Sequence, residues 1–272
     1  MLKLYDNGFS PFARKVRIVL DLKGLDYETL DGLTFANRAS LLTVNPRSEV
    51  PALEHEGLVV VGSSDIIAYL ERVFDGISVY PDDHTEWVHA RAWERCADTV
   101  IDPILINVSY WTWAERSDEM PSGLLEAARN DMIQIYRALE RDLDGRRWLA
   151  GGALSIADIA LFPHISATRL LNVSYEAGRF PRVHEWMRRL RAEPVFSADL
   201  QRTKDFLARS FSRDSHDRRK IFWRGDRIEW MLANGHHEWF INEIRQERVL
   251  WPGLGVPGPR VSSVAIDTSF RR

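Results

Sequence analysis

A chain of 272 residues with a formal net charge of -3 and 45% hydrophobic residues can bury one large core or two ordinary ones. That balance leaves no basic surplus to draw a nucleic-acid backbone, and the single cysteine, Cys96, excludes both an internal disulfide framework and a cysteine-rich metal site. The opening MLKLYDNGFSPFARK meets Asp6, Arg14 and Lys15 too early for a signal peptide, and no apolar run approaches the roughly 20 residues a membrane span needs, so a reducing cytoplasm is the expected setting.

Leu2 to Tyr5 alternates as a short strand does, and Gly8 to Pro11 interrupts it with turn chemistry. A helix follows. Ser10 stands where an N-cap belongs and Pro11 where the first helical residue belongs, while Val16, Val19, Leu20 and Leu22 form an apolar face that ends at Gly24. Tyr27 to Leu30 reads as a second strand, followed by a loop with a short helical piece that leads to Asn45 and Pro46. Val50 to Leu53 and Leu58 to Val61, joined through Glu56 and Gly57, read as a hairpin, and Ser63 or Ser64 then caps a helix carrying Ile66, Ile67 and Leu70. The order is β, α, β, loop, β, β, α, and the turn-rich stretch from Asp75 to Asp83 marks a boundary between domains.

From His84 to about Leu207 the pattern is helical, broken at Pro121 to Gly123, Gly151 to Gly152 and Gly178 to Pro181. In LSIADI, Ser155 and Asp158 have the spacing of a capping box and Leu154 that of a hydrophobic staple on Ile159, which marks the start of a buried helix. The last stretch differs in kind. Ser210 to Lys220 is charged, and the following residues crowd large apolar groups, among them Trp223, Trp230, Trp239 and Trp251, into a short span that needs burial. Two short helices are expected, one begun by Asp226 and stopped at Asn234-Gly235, the other from about His237 to Glu247, with a loose tail from Pro252. The expected units are therefore residues 1–76, residues 84–207 and an extension over 208–272.

Read in succession, LKLYDNGFSPFARKVRIVLDLKG, NPRSEVPALEHEGLVVVGSSDIIAYLE, WLAGGALSIADIALFPHI and FPRVHEWMRRLRAEPVF resemble the signatures of the cytosolic glutathione transferase family. The likeness covers roughly residues 1 to 205, and its serine-type start is most similar to the tau and zeta classes. It implies a thioredoxin-like α/β domain followed by an all-α helical-bundle domain, the glutathione transferase fold, assembled as a homodimer. The activity it implies is a detoxifying one: glutathione, bound as co-substrate without a metal, supplies a thiolate that attacks a hydrophobic, aromatic electrophile. Isomerisation and reductive dehalogenation use the same thiolate, and a glutathione-transferase-like binding protein without turnover is the alternative outside enzymes.

The residues carry that chemistry as follows. A free thiol has a pKa of about 8.5, and a hydroxyl at a helix N-terminus, together with the helix's partial positive charge, favours the thiolate. Ser10 is the catalytic candidate, and Tyr5, inside the first strand, is the rival hydroxyl. The resemblance makes Phe12, Arg38, Val50, Pro51, Ser63, Ser64 and Asp65 the glutathione-binding residues, with Val50-Pro51 a cis bond and Ser64 at a helix N-terminus suited to a carboxylate. Two positions depart from the family pattern: Ser63 replaces the usual Glu, and Glu49 replaces a basic residue, with Asp65, Arg38 and Arg47 available to compensate. Tyr110, Trp111 and Trp113 are the candidates to face a flat hydrophobic substrate, with core packing the competing role. His236 and His237 lack spaced partners for a metal, and Cys96 is not where a thiol-disulfide enzyme would need it, since Ser10 occupies that position.

Overall fold

The structure, a computed structural model, describes residues 1–210, 216–221 and 224–253. Four strands make one sheet: β1 (Leu2–Asp6), β2 (Tyr27–Asp31), β3 (Ala52–His55) and β4 (Leu58–Val61) lie in the order β2-β1-β3-β4. β1 runs parallel to β2 and antiparallel to β3, with Leu4 opposite both Thr29 and Leu53. The alternation read in β1 divides its side chains between two layers. Leu2 and Leu4 join Leu53, Val16, Val19, Ile66 and Leu70 beneath α1 (Pro11–Leu22) and α3 (Ser63–Val73), while Tyr5 packs with Ala52, Val50 and Leu41 beside α2 (Arg38–Val44).

The helical part begins at α4 (His84–Cys96), which passes through a π-helical turn at Ala97–Ile101 into α5 (Asp102–Trp113). Helices α6 (Leu124–Asp142), α7 (Ile156–Ala167), α8 (Pro181–Ala192) and α9 (Pro194–Asp205) complete the bundle. Ile156 to Ile165 of α7 are all buried, so this helix is its centre. Its start depends on Asp158, whose carboxylate accepts hydrogen bonds from the Ser155 N–H and hydroxyl (3.0 Å each), the Leu149 N–H (3.1 Å) and the Trp186 indole (2.8 Å). The cap thus joins α7 to α8 as well as starting a helix.

The extension forms α10 (Gly225–Ala233) and α11 (His237–Arg245), flanked by two short strands, β5 (Lys220–Ile221) and β6 (Val249–Leu250), that pair in parallel. It docks on α5. Arg227 and Asp102, both buried, form an ion pair at 2.9 Å, and the Asn107 amide donates to the Arg227 carbonyl at 3.0 Å. Buried Glu243 accepts from Arg116 at 2.6 and 2.9 Å, Met231 packs on Tyr110 and Trp111, and the Trp230 indole donates to Asp131. The expected burial of the extension's large side chains is only partial. Trp230 and Trp239 are half-buried, whereas Trp251 is 51% exposed and Ile241 and Ile244 face solvent, because only one face of α11 meets the bundle. Trp223 and the tail from residue 254 lie outside the described residues.

Removing one member of a buried ion pair strands the other. Arg227→Ala leaves Asp102 buried without its cation and is expected to lower the unfolding free energy by about 3 to 5 kcal/mol, whereas Trp251→Ala should fall within about 0.5 kcal/mol of the parent. Urea denaturation followed by tryptophan fluorescence measures both, and equal effects would contradict the docking described.

Candidate active site between the sheet and the helices

The turn after β1 sets the first side of the site. Asn7 binds it from within: its side-chain oxygen accepts from the Phe9 N–H at 3.2 Å, its carbonyl accepts from the Ser10 N–H at 3.0 Å, and its amide donates to Asp31 at 3.1 Å. Gly8 is required here, since a Cβ would lie 2.4 Å from the Phe206 ring. Ser10 then caps α1, its Oγ accepting from the Ala13 N–H at a long 3.4 Å. The hydroxyl hydrogen is not used in that bond.

Ser10 opens onto a cavity of about 370 Å³ bounded by sheet, bundle and extension. Phe12, Arg38, Val50, Pro51, Ser63, Ser64 and Asp65 all line it with Ser10, so the residues proposed for glutathione converge on one space. The Val50-Pro51 bond is cis. Tyr5 is elsewhere. It is buried in β1, donates to Glu54 at 3.1 Å, accepts from Lys3 at 3.2 Å and does not line the cavity.

At the start of α3 the N-cap is Gly62, at φ +94, rather than either serine, so Ser63 and Ser64 are the first helical residues and their N–H groups have no acceptor among the described residues. The Ser64 hydroxyl donates to Glu94 at 2.7 Å, within a buried cluster where the Lys15 ammonium stands 3.0 Å from Glu94 and 2.7 Å from Asp98. Asp98 lines the cavity, and its Oδ1 is buried with no hydrogen-bond partner among the described residues. Glu49 is matched by Arg47, whose guanidinium lies 2.8 Å away.

Of the three aromatic candidates, Trp113 lines the cavity, and Tyr110 and Trp111 do not. They are buried on the side of α5 that the extension covers. Tyr110 accepts a hydrogen bond from Arg116 at 2.8 Å and lies under Nζ of Lys220, 4.4 Å from its ring centre, while Trp111 meets Trp239 edge to face at 5.2 Å. Their role is packing. The apolar wall comes instead from Phe9, Leu105, Ile106, Leu171 and Leu250 together with Trp113.

The extension supplies further residues that local pattern did not mark. Asp217 pairs with Arg38 at 3.2 Å, and Arg224 lies 5.1 Å above the Phe12 ring while bonding Asp226 and the Asp98 carbonyl. Burial alone would push the Asp217 carboxyl up, but hydrogen bonds from Arg219 and Arg38 outweigh it and hold its pKa at about 2. His164 of α7 also lines the cavity. Cys96 does not, and burial pushes its thiol up to about 11, far from the thiolate a redox role would need. Among the described residues no cluster of three His, Cys, Asp or Glu groups could hold a metal, and no helix is long and apolar enough to cross a membrane.

Comparison with known proteins adds an independent line. The family description "Glutathione S-transferase, N-terminal domain" matches residues 4–78 and "Glutathione S-transferase, C-terminal domain" matches residues 122–189. A glutathione S-transferase from Rhodospirillum rubrum F11 is 30% identical with a TM-score of 0.66, covering 74% of this chain and 92% of that one. The chain belongs to the glutathione S-transferase family. Glutathione S-transferase U7 of Arabidopsis thaliana is 29% identical over 200 residues, 71% of this transferase-family chain and 84% of the relative. A Methylobacillus flagellatus glutathione S-transferase solved with GSH bound is 26% identical, with a TM-score of 0.63 over 73% of this chain and 98% of that one. In all three, about a quarter of this chain lies outside the match.

Asp217 is held below the ordinary carboxylate range first by Arg219 beside it and then by Arg38, so the stability its ionised form contributes, of which the Arg38 pair is a part, is present above about pH 3.8 and is lost as pH falls through about 2. Asp217→Asn removes that contribution at neutral pH, so the variant should expose the extension to limited proteolysis at pH 7 at least about twofold faster than the parent. The difference should vanish near pH 2. A ratio that stayed flat with pH would rule out the Arg38–Asp217 pair as a fastening.

Proposed function

We propose that the protein is a glutathione transferase in which Ser10 stabilises the glutathione thiolate for attack on a hydrophobic aromatic electrophile. The observation that carries this reading is the convergence, in one cavity, of a helix-capping hydroxyl, the Val50-Pro51 turn and the free N–H groups that begin α3. A tripeptide's γ-glutamyl carboxylate, ammonium and thiol have candidate partners there. The N–H groups of Ser63, Ser64 and Asp65 suit the γ-glutamyl carboxylate, and Asp98 Oδ1 together with Asp65 suits the ammonium that the family's usual Glu would take. The backbone of Val50 suits the cysteinyl amide, and Phe12 and Arg38 close that side of the cavity.

With the sulfur near Ser10, the hydroxyl donates a hydrogen bond to the anion and the α1 N-terminus adds its partial positive charge. The thiol proton leaves to solvent, the thiolate forms a carbon–sulfur bond, and the leaving group departs with the electron pair of the bond that breaks. The apolar wall around Trp113, Leu105 and Leu171 holds the electrophile's flat body. A second reading, binding without turnover, is favoured by Ser63 and Glu49, both of which weaken the match to glutathione. The family relationship supports a homodimer, and the single, half-buried cysteine is consistent with a reducing cytoplasm.

Calorimetric titration with glutathione separates the two readings, because a dissociation constant weaker than several millimolar would favour the binding protein. Ser10→Ala should lower turnover of an activated chloroarene by at least about tenfold, about 1.4 kcal/mol of transition-state stabilisation, with the melting temperature preserved. An unchanged rate would take the role from Ser10. Light scattering should give twice the 31.4 kDa of one chain, and a mass of one chain would contradict the dimer.

A further inference from the structure

Among the polar groups that line the cavity, His164 has no part in the thiolate chemistry. His164, 2% exposed on α7, has its Nδ1 3.0 Å from the Ala160 carbonyl oxygen one turn earlier. A carbonyl only accepts, so Nδ1 carries the hydrogen, and in the neutral ring Nε2 is left as a bare acceptor. Burial pushes the imidazole pKa down and outweighs the opposing influence of Asp102, the Ala160 carbonyl and Asp98, while Lys15 acts in the same direction as burial. The ring is therefore neutral. Nε2 is buried and has no hydrogen-bond partner among the described residues. A polar atom in that state is costly, and a ligand that satisfies it gains accordingly.

The surroundings define the ligand. Phe12, two residues beyond Ser10, meets the His164 ring edge to face at 6.1 Å, and both line the cavity with Leu105, Leu171 and Trp113. A wholly apolar molecule in this space leaves Nε2 unpaired. We infer that His164 is a specificity residue whose Nε2 accepts a hydrogen bond from a hydroxyl on the second substrate, so that the site selects hydroxylated aromatic compounds over their unsubstituted or methylated counterparts. The inference rests on reading this cavity as the second-substrate site, and its test needs no turnover.

The full chain, free of glutathione, is titrated with 4-hydroxybiphenyl, biphenyl and 4-methoxybiphenyl, with Trp113 in the cavity wall providing a fluorescence signal. The parent should bind the phenol at least about tenfold more tightly than either analogue, since a site built to pair a hydroxyl rejects molecules that lack it. His164→Phe keeps an aromatic ring against Phe12 and removes the acceptor, so it should bring the three affinities within about twofold of one another. His164→Gln restores an acceptor and should recover part of the preference, which a purely structural role would not do. Equal affinities in the parent, no binding of any of the three, or a phenol preference that survives in His164→Phe would each overturn the inference. Should His164→Phe fail to fold, His164→Gln and the parent ratio decide the matter. Failure to bind glutathione with the phenol preference intact would instead count against the proposed reaction alone.

Discussion

The site exists because three cations of α1 are buried. Arg14, Lys15 and Arg17 are exposed by only 3%, 1% and 3%, and each is matched by carboxylates of other elements. Arg14 pairs with Asp199 of α9 at 2.7 Å, Lys15 with Glu94 and Asp98 at the α4 junction, and Arg17 with Asp6 of β1 at 2.5 Å and Asp199 at 3.2 Å. Buried pairs of this kind add little net stability over apolar packing. What they contribute is position. An isolated cation in that interior would be very costly, so α1 seats only where the strand and the bundle together present the matching anions. Ser10, at the head of the same helix, is thereby held at the boundary where the cavity forms.

The same constraint recurs in the extension. Asp102 would be buried and unpaired without Arg227, and Arg116 would lose its best partner without Glu243. These two pairs fix α10 and α11 to α5, and the fixed segment then carries Asp217, Arg224 and Leu250 to the cavity wall. A fold of two units thus acquires a third source of lining residues. The chain beyond residue 215 thus lines part of the cavity, through His216, Asp217, Arg224, Arg227 and Leu250, beside the larger share that comes from the bundle.

Much of this architecture was legible because its signals are local. The strands β1, β2 and β4, the Ser10-Pro11 start of α1, the Ser155–Asp158 start of α7 and both short helices of the extension each rest on residues within a few positions of one another. The buried cations were not legible. In RKVRIV the apolar face is plain, but nothing in it announces that Arg14 and Lys15 meet carboxylates 185 and 79 positions away, or that Arg17 meets Asp6 of β1. Tyr110, Trp111 and Trp113 show the same limit, since periodicity marks a buried side of α5 without saying whether a cavity or a covering helix lies beyond it. His164 sat inside a run of apolar residues and was absorbed into the helix core, and only the geometry of Nδ1 toward Ala160 reveals an acceptor left over.

Ser10 and Ser64 show why residue type alone does not decide a role. Both stand in the first turn region of a helix and both line the cavity. Ser64 gives its hydroxyl hydrogen to Glu94, itself held by Lys15, so its side chain is spent on fastening α3 to α4 and only its backbone N–H remains for a ligand. Ser10 merely accepts, weakly, from Ala13 and keeps its hydrogen to donate. Two helix N-termini therefore converge on one space with different offerings, one of backbone donors and one of a hydroxyl donor, and each favours negative charge. A peptide whose carboxylate and thiolate are separated by a few bonds is a ligand that uses both at once. Asp65 and Asp98 line the same cavity, Asp98 with one carboxylate oxygen already on Lys15, so the two N-termini share their space with negative charge of the protein's own.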